Sequence, residues 1–517
     1  YPSLQSLYLS FFRSTPFGNR VIYVGFENFQ RLLTSPAYWN SLTRSLVFTA
    51  ITVFISIASA LILAVVTNKK IRGAKIYKSL LIWPFAFSFA FAGIIWGVLL
   101  HPNVGIMSYY IQLLTTLEFN WINNGTAAFI LIIIASSWRM LGYNFIFFIA
   151  ALQNVSPTLL EAADIDGASP FTKFWRITFP LISPITFFLL IMNTLQVFFL
   201  TFGVVDVLTQ GGPARATDIV TYKLFRDAFL SMRTGYASAQ SIILFVFVAV
   251  ITIIQFKYAG DKVFYQQGGE FQMKRKKSTT LFIHLFLIIS VILVSFPIIY
   301  AFMVSTLNVN EVYSSPPKLQ FGDNMLNNYR QAWQSSNMGK LLFNSAFISI
   351  VTAVGKIILS LSAAFAFVYF GDFPGKNILF IMILITHMLP LPIRIVPTYQ
   401  LMDNLGWLDT YYALTIPFFA SATGVLLFKQ FYMTVPESLL EASLMDGITP
   451  LRFLWSILIP LSKSNIVALF TIEFIWVWNQ YLWPLIVTTD QSMSTIVMGI
   501  KSLVQVAEAE PRWHYVM

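Results

Sequence analysis

Long runs without a charged residue dominate this chain. Ser45 to Thr67, Ser79 to Leu117, Ile177 to Val205, Thr234 to Phe256 and Ser278 to Asn310 each pass uninterrupted. Each reaches the roughly 20 apolar residues that a helix needs to cross a ~30 Å hydrocarbon core. The pattern predicts spans near 44–67, 79–100, 126–152, 182–207 and 239–258, then, beyond a polar stretch, near 280–304, 344–370, 377–397, 411–433 and 464–488. Tyr1 to Phe12 lacks a basic leader and reads as the outer end of a helix already begun. Residues 490–517 are polar, so a clipped first span and a missing last span are expected. The fold class is all-α: a polytopic membrane protein.

Basic residues orient these spans. Lys69, Lys70, Arg72, Lys75 and Lys78 crowd one short connection, which the positive-inside rule assigns to the cytoplasm. Alternation then puts 153–181 inside, 208–238 outside and 257–278 inside. Lys274 to Lys277 form a second basic cluster there and agree with the first. The same connection carries Gln266-Gln267-Gly268-Gly269 and then Met273, which has the look of a second start codon. Two halves are therefore expected, 1–272 and 273–517, as a natural fusion or as two reading frames run together.

Composition narrows the class. Of the 517 residues 57% are hydrophobic and 11% are charged, against about 25% charged in ordinary soluble domains. The net charge of +11 lies in the short loops and serves orientation, so no nucleic-acid partner is expected; the lipid bilayer is. Zero cysteines exclude disulfides, thiolate metal sites and cysteine nucleophiles. Four histidines form neither a metal-ligand spacing nor a nucleophile–base set, which disfavours a membrane enzyme.

One internal repeat stands out. Leu159-Leu160-Glu161-Ala162-Ala163-Asp164-Ile165-Asp166-Gly167 is followed by Pro170, Trp175, Ile177, Pro180 and Leu181. Leu439-Leu440-Glu441-Ala442-Ser443-Leu444-Met445-Asp446-Gly447 is followed by Pro450, Trp455, Ile457, Pro460 and Leu461. The offset is constant at 441 − 161 = 280. Both copies fall after the fourth span of their half, over 153–182 and 434–463. Each predicts a helix started at Pro157 or Pro436 and broken near Gly167 or Gly447. A second short helix would then lead to Pro180 or Pro460, where the next span begins.

This pattern resembles the EAA loop of ATP-binding-cassette importer permeases, whose fold is MetI-like. Nearly the whole chain resembles the permease pair of the sn-glycerol-3-phosphate importers, in the carbohydrate-uptake group. The carrying residues are Tyr143-Asn144-Phe145, Ala150 to Gln153 and Gly211-Gly212-Pro213 in the first half. In the second they are Met388-Leu389-Pro390 with Arg394, Ser421-Ala422-Thr423 and Trp478 to Leu485. The resemblance implies twelve spans, two separate ATPase subunits that carry ATP and magnesium, an extracytoplasmic binding protein, and a prokaryotic cell membrane. It implies that Glu161 and Glu441 enter a groove on the ATPases and that Ala162, Ala163, Ala168 and Ala442 allow close packing. Gly167 and Gly447 would make the turn, flanked by Asp166 and Asp446. Ser443 and Ile448 depart from the usual small alanines, so a slightly altered fit is expected there. No phosphate-binding loop occurs: Gly339-Lys340, Gly355-Lys356 and Gly375-Lys376 lack both the upstream glycine and the following Ser or Thr.

Cargo is hinted at by charge inside the spans. Arg394, between Pro392 and Pro397, is costly in a membrane unless it faces a cavity or a partner; its planar fork suits a phosphate. Glu473 is an acid where the family more often has an uncharged residue, and Arg394, Arg139 and Lys429 are its candidate partners. Asn479 and Gln480, with Trp476 and Trp478, are candidates to line a path, although tryptophans commonly form interfacial belts. A sugar importer of the same group and an ion-coupled carrier using Glu473, Arg139 and Arg394 stay open at this point.

Overall fold

The computed structural model describes residues 2–14, 21–69, 73–115, 118–259, 277–388, 391–505 and 513–517. Lys70, Arg72, the 266–269 linker, Met273 with the basic run to Lys276, and the Leu389-Pro390 pair lie outside them. Most of the described residues are helical, and one short antiparallel pair, Phe12–Ser14 with Val21–Tyr23, lies among them. Among the described residues six helices are long and apolar enough to cross a membrane, or up to nine spans if each bent pair counts as one.

Two compact units divide the chain, one of Leu9–Ser335 with Ile500–Met517, the other of Tyr1–Tyr8 with Ser336–Gly499. In the first unit Pro36–Thr67, Gly125–Gln153, Pro170–Leu208, Thr234–Gln255 and Leu281–Thr306 are single spans. Their starts are written in the sequence. Ser35 caps the helix begun at Pro36, and the Asn124 side chain accepts from the amides of Thr126 and Ala127.

The expected span at 79–100 is instead two helices, Ala74–Ala86 and Phe89–Leu99, bent by 103°. Pro84 sits in the tight last turn of the first, and Ser88 caps the second by accepting from the Phe91 amide at 3.1 Å. The break exposes the Phe87 carbonyl, and Arg139 donates to it at 3.1 Å with its guanidinium 4.4 Å from the Phe89 ring centroid. Gly142 lets the bend close in: a Cβ there would lie 2.8 Å from the Ile82 oxygen. Arg139 is thus consumed by its own unit, and the unpaired carbonyl is the reason.

The core of this unit gathers Ala60, Leu63 and Ala64 with Phe145, Phe148, Leu189 and Val294. The last belongs to Leu281–Thr306, the first span after Met273. Trp138 donates to the Val294 carbonyl at 2.8 Å and Tyr77 meets His284 at 3.2 Å. Compaction therefore divides the chain at Ser336, whereas the sequence repeat divides at 272/273.

In the second unit Met338–Tyr369 is a single span, while Tyr411–Phe418 with Ala422–Tyr432, and Pro450–Leu461 with Lys463–Trp478, are bent by 43° and 77°. The expected 377–397 span is two helices, Lys376–Met388 and Leu391–Asn404. The expected 464–488 span stops at Trp478. Pro484 has no N–H to offer the Gln480 carbonyl, and Asn479 turns its amide back onto Ile475 at 3.0 Å. The core here is Leu361, Ala364 and Phe365 against Phe428, Tyr432, Phe453, Leu458 and Leu469.

Candidate docking loops and a buried charge cluster

Both repeats fold into the same elbow. In the first, helix Pro157–Ile165 ends at Asp166, Gly167 takes φ +73°, and a second helix starts at Pro170. In the second, helix Glu437–Met445 ends at Asp446, Gly447 takes φ +68°, and the next helix starts at Pro450. The Gly167 and Ala168 amides donate to the Asp164 and Ala163 carbonyls at 3.1 and 2.9 Å. Those of Gly447 and Ile448 donate to Leu444 and Ser443 at 3.0 and 2.9 Å. This is a Schellman cap, which needs a left-handed residue at its turn. No atom lies within 4 Å of a Cβ built on either glycine, so backbone conformation, not space, requires glycine.

Burial matches at every position of the motif but the first. Ala162 and Ala442 are exposed, Ala163 and Ser443 buried, and Asp166, Asp446, Gly167 and Gly447 exposed; Glu161 is half-buried and Glu441 exposed. The inner member of each pair thus packs within its own unit. The Ser443 hydroxyl is satisfied by the Leu440 carbonyl at 2.7 Å, and Ile448 packs against its unit's core. Sequence reasoning missed the apolar surface around the turn. Ile165, Phe171 and Trp175 are 87%, 74% and 49% exposed, and their counterparts at the repeat offset, Met445, Leu451 and Trp455, are 89%, 67% and 65% exposed. Registered apolar patches of this kind mark contact surfaces; the constant offset was the available signal.

The elbows differ in bracing and in exit. Asp164 pairs with Lys173 in the first, whereas Leu444 and a buried Phe453 stand there in the second. Both pass through one wide turn, Phe174–Thr178 or Leu454–Leu458. Pro170–Leu208 then continues as one span, while the second copy bends at Ser462. There the hydroxyl and amide both draw on the Leu458 carbonyl, at 2.6 and 2.9 Å.

Within the second unit Glu473 has a partner that the sequence did not suggest. Lys356 Nζ donates to Glu473 Oε2 at 2.5 Å, and Ser421 Oγ donates to Oε1 at 3.1 Å. Both charged residues are more than nine-tenths buried. Lys356 Nζ also lies 4.3 Å from the Trp476 ring centroid. The expected partners are elsewhere: Lys429 stacks on Phe380 at 4.1 Å, Arg139 serves Phe87, and Arg394 makes no ion pair among the described residues. In the sequence Lys356 stands only as the second residue of a Gly-Lys pair that makes no phosphate loop. Its signal was that it is the single cation between Leu341 and Tyr369.

Arg394 is close enough to Lys356 for their charges to repel, and its Nε is buried with no hydrogen-bond partner among the described residues. Gln480 Nε2 is in the same condition, whereas Asn479 is spent on its own helix end. The structure thus gathers Glu473 and Trp476 against Lys356, with Arg394 within electrostatic reach. In the first unit, Asn193 occupies the position that the repeat offset pairs with Glu473. Its amide and that of Asn144 exchange hydrogen bonds at 3.0 and 2.7 Å, and both are fully buried.

Paired elbows beneath bundles of apolar spans agree with what family comparison finds. The model of the binding-protein-dependent transport system inner membrane component matches twice, over residues 32–259 and 356–509. The chain belongs to this family. The permease pair is similar to two kinds of relative, each covering about half of it. One is the sn-glycerol-3-phosphate transport system permease protein UgpA of Rhizobium meliloti, 42% identical over 51% of this chain and 90% of the relative. The other is permease protein UgpE of the same named system in Brucella abortus, 44% identical over 47% of this chain and 89% of the relative. A crystal structure of a bacterial ABC transporter that imports alginate is 19% identical, with a TM-score of 0.44, covering 50% of this permease and 89% of that chain. The permease is a membrane-embedded transport subunit. No group of three His, Asp or Glu side chains among its described residues is placed to hold a metal ion.

Proposed function

We propose that this permease pair carries sn-glycerol-3-phosphate or related glycerophosphodiesters into a prokaryotic cell, across its inner or plasma membrane, by alternating access. The observation that carries the reading is the pair of registered elbows. Each presents an acidic residue, Glu161 or Glu441, beside an exposed alanine and an apolar patch. Two separate ATPase subunits, which hold ATP and magnesium, dock there. Their closure moves the elbows, and the spans open outward to receive cargo from an extracytoplasmic binding protein. Coupling of this kind needs an element with two arrangements, and a capped helix–turn–helix leading straight into a span is suited to transmit force.

The cargo reading draws support from the named relatives and from Arg394, whose unsatisfied cation suits a phosphate. Glu473, Trp476, Asn479 and Gln480 belong to the same proposed path. Charge reversal at both elbows, Glu161→Lys with Glu441→Lys, abolishes uptake while the spans remain inserted. Wild-type uptake by that double variant refutes the coupling role. Competition between sn-glycerol-3-phosphate and maltose for uptake separates the cargo from a neutral sugar.

A further inference from the structure

The Lys356–Glu473 pair is more than the fold of its unit requires. A buried ion pair recovers its desolvation cost poorly, and neutral packing of similar volume commonly does as well. The first repeat uses such packing at the same register, with Asn193 bonded to Asn144. The second repeat instead sets two cations, a buried Lys356 and a half-buried Arg394, against one carboxylate. One positive charge is left over on a side chain partly shut off from water, where an anion is drawn more strongly than in bulk water.

We infer that Lys356 and Arg394 form an exchangeable anion site in the second unit, with the Glu473 carboxylate occupying Lys356 until the phosphate of the cargo displaces it. The surroundings suit an exchange. When Glu473 leaves Lys356 it keeps the Ser421 hydroxyl, 3.1 Å from its other oxygen. Lys356 keeps the face of Trp476, 4.3 Å away, which holds a cation by its quadrupole. Lysine then meets the phosphate as a point charge and Arg394 as a fork. An internal competitor also limits affinity, and transport needs a site that releases what it binds. The inference rests on the proposed cargo for the identity of the anion.

The test uses the permease assembled with its ATPases and binding protein in nanodiscs, trapped with ATP and vanadate, with radiolabelled sn-glycerol-3-phosphate as probe. Glu473→Gln removes the competitor and retains at least about tenfold more cargo, while Lys356→Met retains at least about tenfold less, a factor worth ~1.4 kcal/mol. Lys356→Arg keeps retention. The double variant Lys356→Met with Glu473→Gln leaves neither member of the pair charged without its partner; a purely structural pair would be rescued by it, whereas an anion site stays lost. Wild-type uptake by the double variant, or unchanged retention in Glu473→Gln, overturns the inference. Co-purification of the ATPases checks assembly, and should Lys356→Met fail to assemble, the Glu473→Gln result decides. If the wild type retains labelled maltose and not the phosphate ester, the cargo reading falls. Binding of inorganic phosphate, raised or not in Glu473→Gln, then judges the site alone.

Discussion

The two repeats answer one structural question differently. At positions matched by the repeat offset, the first buries Asn193 against Asn144 and the second buries Glu473 against Lys356 and Ser421. Both arrangements satisfy a polar side chain in the middle of an apolar bundle. Only the second places full charges there, and it pairs with them an arginine that has no counter-ion among the described residues. The amide pair is what helix packing in a membrane needs; the ion pair exceeds that need. Duplicated architecture thus separates what holds a helix in place from what serves cargo, because the first copy is a control for the second.

The largest effects follow from removing one partner of each pair. Glu473→Ala leaves Lys356 buried and unpaired, and we expect a loss of about 3–5 kcal/mol of stability. Asn193→Ala leaves only a neutral amide on Asn144 unpaired and should cost about 1–3 kcal/mol. Thermal unfolding of the purified permease in nanodiscs checks both. Equal losses would mean that the Glu473 site is no more charged in effect than its counterpart.

Acid distinguishes the two units outside their spans. His101, in the first unit, is packed against Trp121 and Trp513, and burial holds it down at about 4 from an ordinary 6.5. Its Nδ1 accepts from the Asn103 amide at 3.3 Å, so protonation there forfeits that bond. In the second unit burial works to raise Asp409, but the Asp490 amide and the hydroxyl and amide of Thr489 outweigh it and hold the carboxyl below its usual range. Both folded values lie below the unfolded ones, so both contributions are complete above the unfolded value and are lost as pH falls. For His101 the loss runs from pH 6.5 towards 4; for Asp409 it begins only in the carboxylate range. Hydrogen exchange between pH 7 and 4.5 should therefore loosen the His101 region first, by about 1–3 kcal/mol, and His101→Phe should flatten that response.

Much of this architecture was legible in the chain. The elbows were, because one constant offset holds through glycine, proline and tryptophan positions whose roles are local: a left-handed turn, a helix start, a wide turn. Spans 126–152 and 239–258 were legible because a cap or a long apolar run bounds them. The broken helices were not. The bend at Phe87 depends on Arg139, from a different helix, donating to an orphaned carbonyl, and the end at Trp478 depends on Pro484 further along the chain. Hydropathy averages over both. Lys356 was hidden for a related reason: a lone lysine in an apolar run becomes meaningful only when the distant Glu473 carboxylate is seen beside it. Helix Leu281–Thr306 also shows that a boundary in sequence need not be a boundary in packing.

The elbow glycines give a smaller and symmetric expectation. Both carry a left-handed φ and both have open space where a Cβ would go. Gly167→Ala and Gly447→Ala should then each cost about 1–2 kcal/mol, from backbone strain alone. Matched losses in unfolding, with matched losses in ATPase co-purification, would show the elbows to be equivalent in shape. A much larger loss in one copy would mean that its turn touches something that the free permease does not show.

The smallest effect is the most specific to one copy. Asp164 and Lys173 brace the first elbow across its turn, with the Asp164 side chain 45% exposed, and surface pairs of this kind contribute about 0.2–1 kcal/mol and weaken with salt. The second elbow has an exposed Leu444 and the buried Phe453 at the same positions, with no charge for salt to screen. Asp164→Leu with Lys173→Phe should therefore convert the first elbow to the second's design. Raising salt from about 50 to about 500 mM should loosen the wild-type first elbow slightly, read as hydrogen exchange at Gly167 and Ala168. It should leave Gly447 and Ile448 unchanged, and leave the converted elbow unchanged too. Salt sensitivity that survives the exchange would place the difference between the elbows outside this pair.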